Sequence, residues 1–130
     1  MARILVVDDD PQVCDVVRRS LERVGHQVLG AVDGVEGLKV CRESGAELAL
    51  VDLHMPEMDG IELLGKLRAL APRLPVIAMS GGGVTKRVDL LDMALLLGAT
   101  DTLAKPFTLA ELFEAVSKAL AASGAQPKAG

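Results

Sequence analysis

The sequence predicts an α/β fold, a single doubly wound parallel sheet of five strands accompanied by five helices. Short aliphatic runs alternate five times with segments of helical period, which is the order that parallel strands joined by helical crossovers produce. The runs ILVV and VIAM are apolar throughout, as expected for strands that are covered on both faces of a sheet. At 130 residues, the chain has the size of one domain.

The strands and helices are bounded by changes in hydrophobic periodicity. The predicted strands are Ile4–Val7, Gln27–Ala31, Leu48–Val51, Pro75–Met79 and Thr102–Ala104. The predicted helices are Pro11–Val24, Gly34–Ser44, Gly60–Ala71, Val84–Leu97 and Thr108–Ala122. We expect the folded domain to span residues 1–122, followed by a flexible tail or linker start at 123–130. The chain from Ala121 onwards, AASGAQPKAG, is small and polar and contains glycine and proline.

Two helix starts carry capping signals. Asp10 can cap the first helix, with Pro11 in its first turn, where a missing N–H has no energetic consequence. Thr108 and Glu111 have the spacing of a capping box at the start of the last helix. These signals support the predicted boundaries.

The composition excludes several classes of function. A net charge of -4 disfavours direct binding of nucleic acid. Phe107 and Phe113 are the only aromatic residues, so no tryptophan or tyrosine is available to stack on a base or a flavin ring. No apolar run approaches the ~18 residues of a membrane span, and no secretory signal opens the chain. We therefore expect a cytoplasmic protein in which Cys14 and Cys41 are free thiols on helices.

The residues that carry chemistry follow the strands at their carboxyl ends, where open α/β sheets bind their ligands. They are Asp8, Asp9 and Asp10 after the first strand, Asp52 after the third, Ser80 after the fourth and Lys105 after the fifth. Asp10 is best explained as the cap of the first helix. Asp8 and Asp9 lie too early in the chain for that role.

Asp52 closes an apolar strand, so its carboxylate would be partly desolvated near two other carboxylates. Such a cluster requires a cation or raised pKa values, and an all-oxygen site of this size suits Mg²⁺. A carboxylate beside a metal ion and an ammonium group is a competent nucleophile for phosphoryl transfer. Asp52 would attack, Lys105 would pair with a phosphoryl oxygen, and the Ser80 hydroxyl would bind another. In the resting state we expect Lys105 to form an ion pair with these aspartates.

Four motifs resemble the receiver domains of response regulators. They are ILVVDDD at the first strand, LVDLHMPEMDG after the third, VIAMSG at the fourth and GATDTLAKPF at the fifth. The resemblance spans about Arg3 to Leu120. It implies a two-component phosphorelay protein with a flavodoxin-like sheet in the order 2-1-3-4-5, and commonly a cis bond before Pro106.

The resemblance also implies roles for individual residues. Asp8 and Asp9 would hold Mg²⁺, with Asp52 as the phosphoacceptor and a metal ligand, and the backbone carbonyl of His54 would be a further ligand. Ser80 and Lys105 would contact the phosphoryl group. The phosphoryl donor would be a phosphohistidine on a sensor histidine kinase or a histidine phosphotransfer protein. Such a domain is not an enzyme acting on other molecules, since it catalyses only its own phosphorylation and dephosphorylation.

Two features depart from the common family pattern, and the periodicity of the fourth predicted helix adds a third observation. Thr102 stands where many receivers carry an aromatic switch residue. The segment SGGGVTKR is rich in glycine, and we expect a mobile loop there. The helix 84–97 carries two opposed apolar stripes, of which one can face the sheet. The other, with strand 102–104, predicts a docking or dimerisation face, and the alternative is that a neighbouring helix or the tail covers it. The stripes are Val84, Val88, Leu91, Leu95 and, opposite, Leu90, Met93, Leu97.

Neither histidine predicts a separate site, since His26 lies in a turn and His54 in an acidic loop that we expect to be exposed.

Three other classes of protein share parts of this pattern. A flavodoxin-like electron carrier would need a hydroxyl-rich loop after the first strand. A haloacid-dehalogenase-like phosphatase fits Asp8 and Asp10 as a D-x-D pattern but lacks an acidic pair after Lys105. A scaffold without phosphorylation is disfavoured by the full set of site residues. The tail fits both a stand-alone messenger and the front of a longer regulator.

Overall fold

The computed structural model describes residues 2–55, 60–81 and 92–122. Five strands form one sheet in the order β2-β1-β3-β4-β5, and every neighbouring pair is parallel. The strands are β1 Arg3–Val7, β2 Gln27–Ala31, β3 Leu48–Asp52, β4 Val76–Ser80 and β5 Asp101–Ala104. The predicted fold class and strand order are confirmed.

Helices cover both faces of this sheet. Their bounds are α1 Pro11–Arg23, α2 Gly34–Ser44, α3 Gly60–Leu70 and α5 Leu109–Ala122, with residues 92–96 as the described part of α4. The peptide bond between Lys105 and Pro106 is cis, as the resemblance implied. Among the described ranges, no helix combines the length and apolar character that crossing a membrane requires.

The alternation of side chains along the strands produces two separate cores. Leu5 and Val7 of β1 pack with α2 and α3, whereas Ile4 and Val6 pack on the opposite face with α1 and α5. All residues of β3 and β4 are buried. Each fully buried Leu, Ile or Val contributes about 1.5–3 kcal/mol relative to an exposed one, so burial on both faces is what holds the sheet edge carrying the polar residues in place.

The strand ends differ from the predicted ones by one residue. Asp52 and Ser80 are the last residues of β3 and β4 and pair with Met79 and Ala104 across the sheet. Backbone pairing thus continues past the point where the apolar run ends. Pro75 precedes β4, although its carbonyl accepts a hydrogen bond from Ala49 N at 3.0 Å, because proline has no N–H with which to continue the ladder.

Both predicted helix caps are confirmed. The Asp10 side chain accepts a hydrogen bond from Gln12 N, and Pro11 opens α1. Thr108 Oγ1 accepts from Glu111 N at 3.0 Å, and Glu111 Oε1 accepts from Thr108 N at 2.8 Å. Each bond satisfies a backbone donor that would otherwise lack a partner within the helix.

Thr108→Ala is therefore expected to destabilise the protein by about 1 kcal/mol, since it removes the acceptor for the N–H of Glu111. Urea unfolding followed by circular dichroism measures the loss. Thr108→Ser keeps the hydroxyl and is the matched control, expected to lie within about 0.5 kcal/mol of the wild type. Equal losses in both variants would contradict the capping assignment.

The predicted arrangement of α4 is only partly visible. Residues 84, 88, 90 and 91 of the two stripes lie outside the described residues. At the described end, the buried residue is Ala94, whereas Met93, Leu95 and Leu97 are each about half exposed. Leu95 of one predicted stripe and Met93 and Leu97 of the other are thus exposed to the same extent in residues 92–97. The predicted division into a buried and an exposed stripe is not seen in this segment, where Ala94 is the residue that packs against the core. The loop SGGGVTKR also lies outside the described residues beyond Gly81.

The cysteines and His26 lie where expected. Cys14 and Cys41 are free thiols on α1 and α2, and burial is the largest cause that raises their pKa, for Cys14 to about 11. Thiols with raised pKa are poor nucleophiles, in agreement with a structural role. His26 lies in the turn before β2, and its Nδ1 accepts a hydrogen bond from Ala2 N at 3.0 Å.

Candidate functional site

The carboxyl edge of the sheet brings together the residues that the sequence singled out. Asp8 directly follows β1, Asp52 is the last residue of β3, and Lys105 directly follows β5. Because the strands are parallel, all three residues lie at the same edge of the sheet. Asp8, Asp9 and Asp52 each offer one carboxylate oxygen, and these atoms lie within 4.8 Å of one another. Asp52 lies more than forty positions after Asp8 and Asp9 in the chain, yet the three carboxylates share one small site.

Asp8 is held in place through both carboxylate oxygens. Its Oδ2 accepts a hydrogen bond from Lys105 Nζ at 2.7 Å, and its Oδ1 accepts from Asp10 N at 2.9 Å. The side chain is fully buried. A buried charge needs this degree of pairing, because an isolated carboxylate in a dry environment is strongly destabilised.

Asp52 is less well compensated than Asp8. It is 4% exposed; its Oδ1 accepts from His54 N at 3.1 Å, and its Oδ2 lies 3.4 Å from Lys105 Nζ. Burial is the largest influence and raises the pKa of Asp52 to about 6, with the Asp8 charge adding to the rise and the His54 N–H and Lys105 opposing it. The carboxylate is therefore ionised at neutral pH but stabilised by its surroundings less than in water.

Lys105 is the cation that links the two buried carboxylates. Burial by itself lowers the pKa of this ammonium group, but the hydrogen bond to Asp8 and the charges of Asp52 and Asp8 outweigh burial and raise it. A Cβ on Gly81 would lie 2.9 Å from Lys105 Cβ, so the glycine leaves room for the lysine stem to reach the site. Of the three glycines after Ser80, Gly82 and Gly83 lie outside the described residues.

The exposure of His54 was predicted wrongly. We expected it to lie in an exposed loop, but its side chain is half-buried and its Nε2 lies 3.1 Å from Ser80 Oγ. The reason is local: Leu53 is buried, and the hydrogen bond from His54 N to Asp52 Oδ1 holds residue 54 close to the end of β3. In the sequence, His54 could have been assigned to the site only from its position two residues after Asp52. The role of the His54 backbone carbonyl as a metal ligand stays a prediction.

Two other candidates lie outside the carboxylate cluster. Asp10 belongs to the α1 cap, as expected, so the D-x-D pattern of the phosphatase alternative is not assembled around Asp8. Thr102 is half-buried in the middle of β5, at the far side of β4 from Asp52. Its backbone N–H donates to Asp101 Oδ1 at 2.8 Å.

The donor set fits a hard divalent cation. All three side chains offer oxygen, and Asp8 and Asp52 are buried while Asp9 is exposed to solvent. Mg²⁺ prefers oxygen ligands and keeps several of its waters, so a site with an open side suits it. A bound cation would also offset the unfavourable burial of Asp52.

Comparisons with known proteins identify the family of this chain. The family described as response regulator receiver domain matches residues 4–117. The transcriptional regulatory protein PrrA of Mycobacterium tuberculosis is 39% identical over 123 residues, covering 94% of this chain and 51% of that protein. The response regulator MprA of Mycobacterium avium is 41% identical over 111 residues, covering 85% of this chain and 47% of that protein. The chain thus spans about half the length of these relatives.

A solved structure shows the same fold. The CheY-like response regulator receiver domain protein from Methanospirillum hungatei JF-1 superposes with a TM-score of 0.87 at 31% identity, covering 97% of this chain and 98% of that one. Sequence and fold therefore match over nearly the whole chain. The chain belongs to the receiver domains of response regulators, the signalling domains of two-component systems.

Proposed function

We propose that Asp52 is the phosphoacceptor of this domain and that Asp8, Asp9, Asp52 and the backbone carbonyl of His54 hold Mg²⁺. The observation that supports this most directly is the setting of Asp52. Its carboxylate is buried beside a fixed ammonium group and two further carboxylates, and its pKa of about 6 leaves it ionised and nucleophilic at neutral pH. The folded unit that carries this function would be residues 1–122.

The transfer step needs little from the protein beyond charge and position. An oxygen of Asp52 forms a bond to phosphorus, and the bond from phosphorus to the imidazole nitrogen of the donor breaks. The electron pair returns to that nitrogen, and the imidazole leaves neutral because its other nitrogen carries a proton. Lys105 Nζ lies 3.4 Å from Asp52 Oδ2, which supports a role in offsetting charge on the transferred group, and Ser80 Oγ is the hydroxyl that would donate to that group. Bound Mg²⁺ would supply further neutralisation of the phosphoryl oxygens.

The donor and the output are proposals of the same kind. A phosphohistidine on a sensor kinase or a histidine phosphotransfer protein, in the cytoplasm, would supply the phosphoryl group. The signal would leave through a downstream protein or a second copy of the domain, at the face formed by helix 84–97 and strand 102–104. The exposed Met93, Leu95 and Leu97 support that face. The acidic net charge of -4 supports an output that does not involve contact between this domain and nucleic acid.

Incubation with acetyl phosphate and Mg²⁺ tests the proposal. We expect one phosphoryl group per chain, localised to Asp52 by peptide mass spectrometry and absent when EDTA removes the metal. Asp10→Asn is the matched control and should still be labelled, because the Asp10 carboxylate caps α1. A label at any other residue, or steady release of phosphate from a generic phosphomonoester, would contradict the proposal.

A further inference from the structure

The hydroxyl of Ser80 already has a partner in the structure. Its Oγ lies 3.1 Å from Nε2 of His54, and Ser80 is fully buried. His54 is fixed at a second point, since its backbone N–H donates to Asp52 Oδ1 at 3.1 Å. One residue thus connects the carboxylate that we propose as phosphoacceptor to the hydroxyl that would bind the phosphoryl group.

The direction of this hydrogen bond follows from the inventory of donors and acceptors. A serine hydroxyl has a single hydrogen to donate. The contact with His54 is the one side-chain hydrogen bond that the structure shows for Ser80 within residues 2–55, 60–81 and 92–122. A buried hydroxyl hydrogen without an acceptor is destabilising, because it has lost its hydrogen bonds to water without gaining another. This favours the tautomer in which Nε2 carries no proton and Ser80 donates to it.

We propose that His54 is a positioning residue that holds the Ser80 hydroxyl in the resting state and competes with the phosphoryl group for its hydrogen. The proposal rests on Asp52 being the phosphoacceptor. While Ser80 donates to the imidazole, it cannot donate to a phosphoryl oxygen, so the phosphorylated state requires the contact to break. With Thr102 in place of an aromatic residue on β5, this contact gives the serine a defined resting position at the site itself.

The strength of the contact determines the size of the effect. A neutral hydrogen bond contributes about 0.5–1.5 kcal/mol net, which corresponds to roughly a two- to tenfold change in an equilibrium constant. Removing the acceptor should therefore strengthen the binding of a phosphoryl mimic by that factor. Substitution of the His54 side chain keeps the backbone carbonyl that we propose as a metal ligand, and its position changes only if the backbone moves.

Titration with beryllofluoride in the presence of Mg²⁺ tests this inference in three chains. His54→Phe keeps a flat ring but removes the acceptor, and we expect its half-saturating beryllofluoride concentration to fall two- to tenfold. His54→Gln offers an amide oxygen at a similar reach and should return the value towards that of the wild type. Titration with Mg²⁺ alone is run on each chain first, so that only a shift beyond any change in metal affinity is attributed to the serine contact. Unchanged or weaker binding in His54→Phe would overturn the proposal.

A second measurement needs neither metal nor phosphoryl mimic. In EDTA, long-range ¹H–¹⁵N spectra report which ring nitrogen of His54 carries the proton. We expect an unprotonated Nε2 in the wild type and a shift towards the Nε2-protonated tautomer in Ser80→Ala, since the donor is lost. If His54 has the same tautomer in the wild type and in Ser80→Ala, the inference is wrong. Because this result is independent of labelling at Asp52, failure of the serine contact and failure of the proposed function can be told apart.

Discussion

Asp52→Asn is expected to abolish phosphoryl labelling completely and, in the absence of metal, to make the protein more stable. The first effect follows because an amide is not a nucleophile for phosphorus. The second follows because the Asp52 carboxylate is buried beside Asp8, which raises its pKa to about 6. Replacing a carboxylate that is poorly stabilised in the fold removes an unfavourable charge, with a gain on the order of 1–3 kcal/mol at neutral pH.

The dependence of this gain on pH has a definite sign. The folded state raises the pKa of Asp52 from 3.8 to about 6, with burial as the largest cause. Between these values the folded protein binds more protons than the unfolded chain, so the wild type loses stability as the pH rises. Below about pH 4 the carboxyl group is protonated in both states, and the advantage of Asp52→Asn should vanish. Above pH 6 it should be fully present.

Urea unfolding in EDTA at several pH values, with and without added Mg²⁺, measures both effects. Metal stabilises only the state that binds it, so Mg²⁺ should raise the stability of the wild type more than that of Asp52→Asn and reduce or reverse the difference. Asp9→Asn is the matched control, because Asp9 is an exposed member of the same cluster and its removal should bring no gain in EDTA. A variant less stable than the wild type at pH 7 in EDTA would contradict this description of the site.

The elements of the fold could be predicted from the sequence because their patterns are strong. Apolar runs such as ILVV are typical of strands buried on both faces, and most predicted boundaries agree with the structure to within one residue. Periodicity does not determine which strands are neighbours. The order 2-1-3-4-5 came from the resemblance of four motifs to a known family, and the structure confirmed it.

The approach of the carboxylates could be predicted as well, since parallel strands align their carboxyl ends. The contact between His54 and Ser80 could not. It depends on the register of β3 against β4, where Asp52 pairs with Met79, and on the path of the chain after Asp52, which brings His54 Nε2 to 3.1 Å from Ser80 Oγ. Hydropathy describes Asp52 and Ser80 as the start of loops, whereas the backbone ladder includes both residues. The polar residues at strand ends are therefore held more rigidly than their sequence pattern indicates.

Gly60→Ala is expected to be strongly destabilising, by about 3 kcal/mol or more. A Cβ at residue 60 would lie 2.4 Å from Leu53 Cα and 2.5 Å from the Asp52 carbonyl oxygen. Overpacking usually destabilises by about 1–3 kcal/mol when side chains can move aside. Here the obstructing atoms belong to the backbone of the segment that leaves β3, so the chain itself has to shift.

The matched control lies in the same helix, at a glycine with free space around it. Among the residues that the structure describes, a Cβ at residue 65 would meet no heavy atom within 4 Å apart from its chain neighbours and the backbone of its own helix. Gly65→Ala should therefore stabilise the protein by about 0.5–1 kcal/mol through helix propensity. Urea unfolding of both variants gives the comparison, and equal stabilisation by the two substitutions would refute the steric argument. Gly60→Ala should also weaken Mg²⁺ binding, because a shift of the Asp52 carbonyl moves the backbone that positions the Asp52 carboxylate. The start of α3 thus fits tightly against the chain that carries the proposed phosphoacceptor, and only a glycine allows that approach.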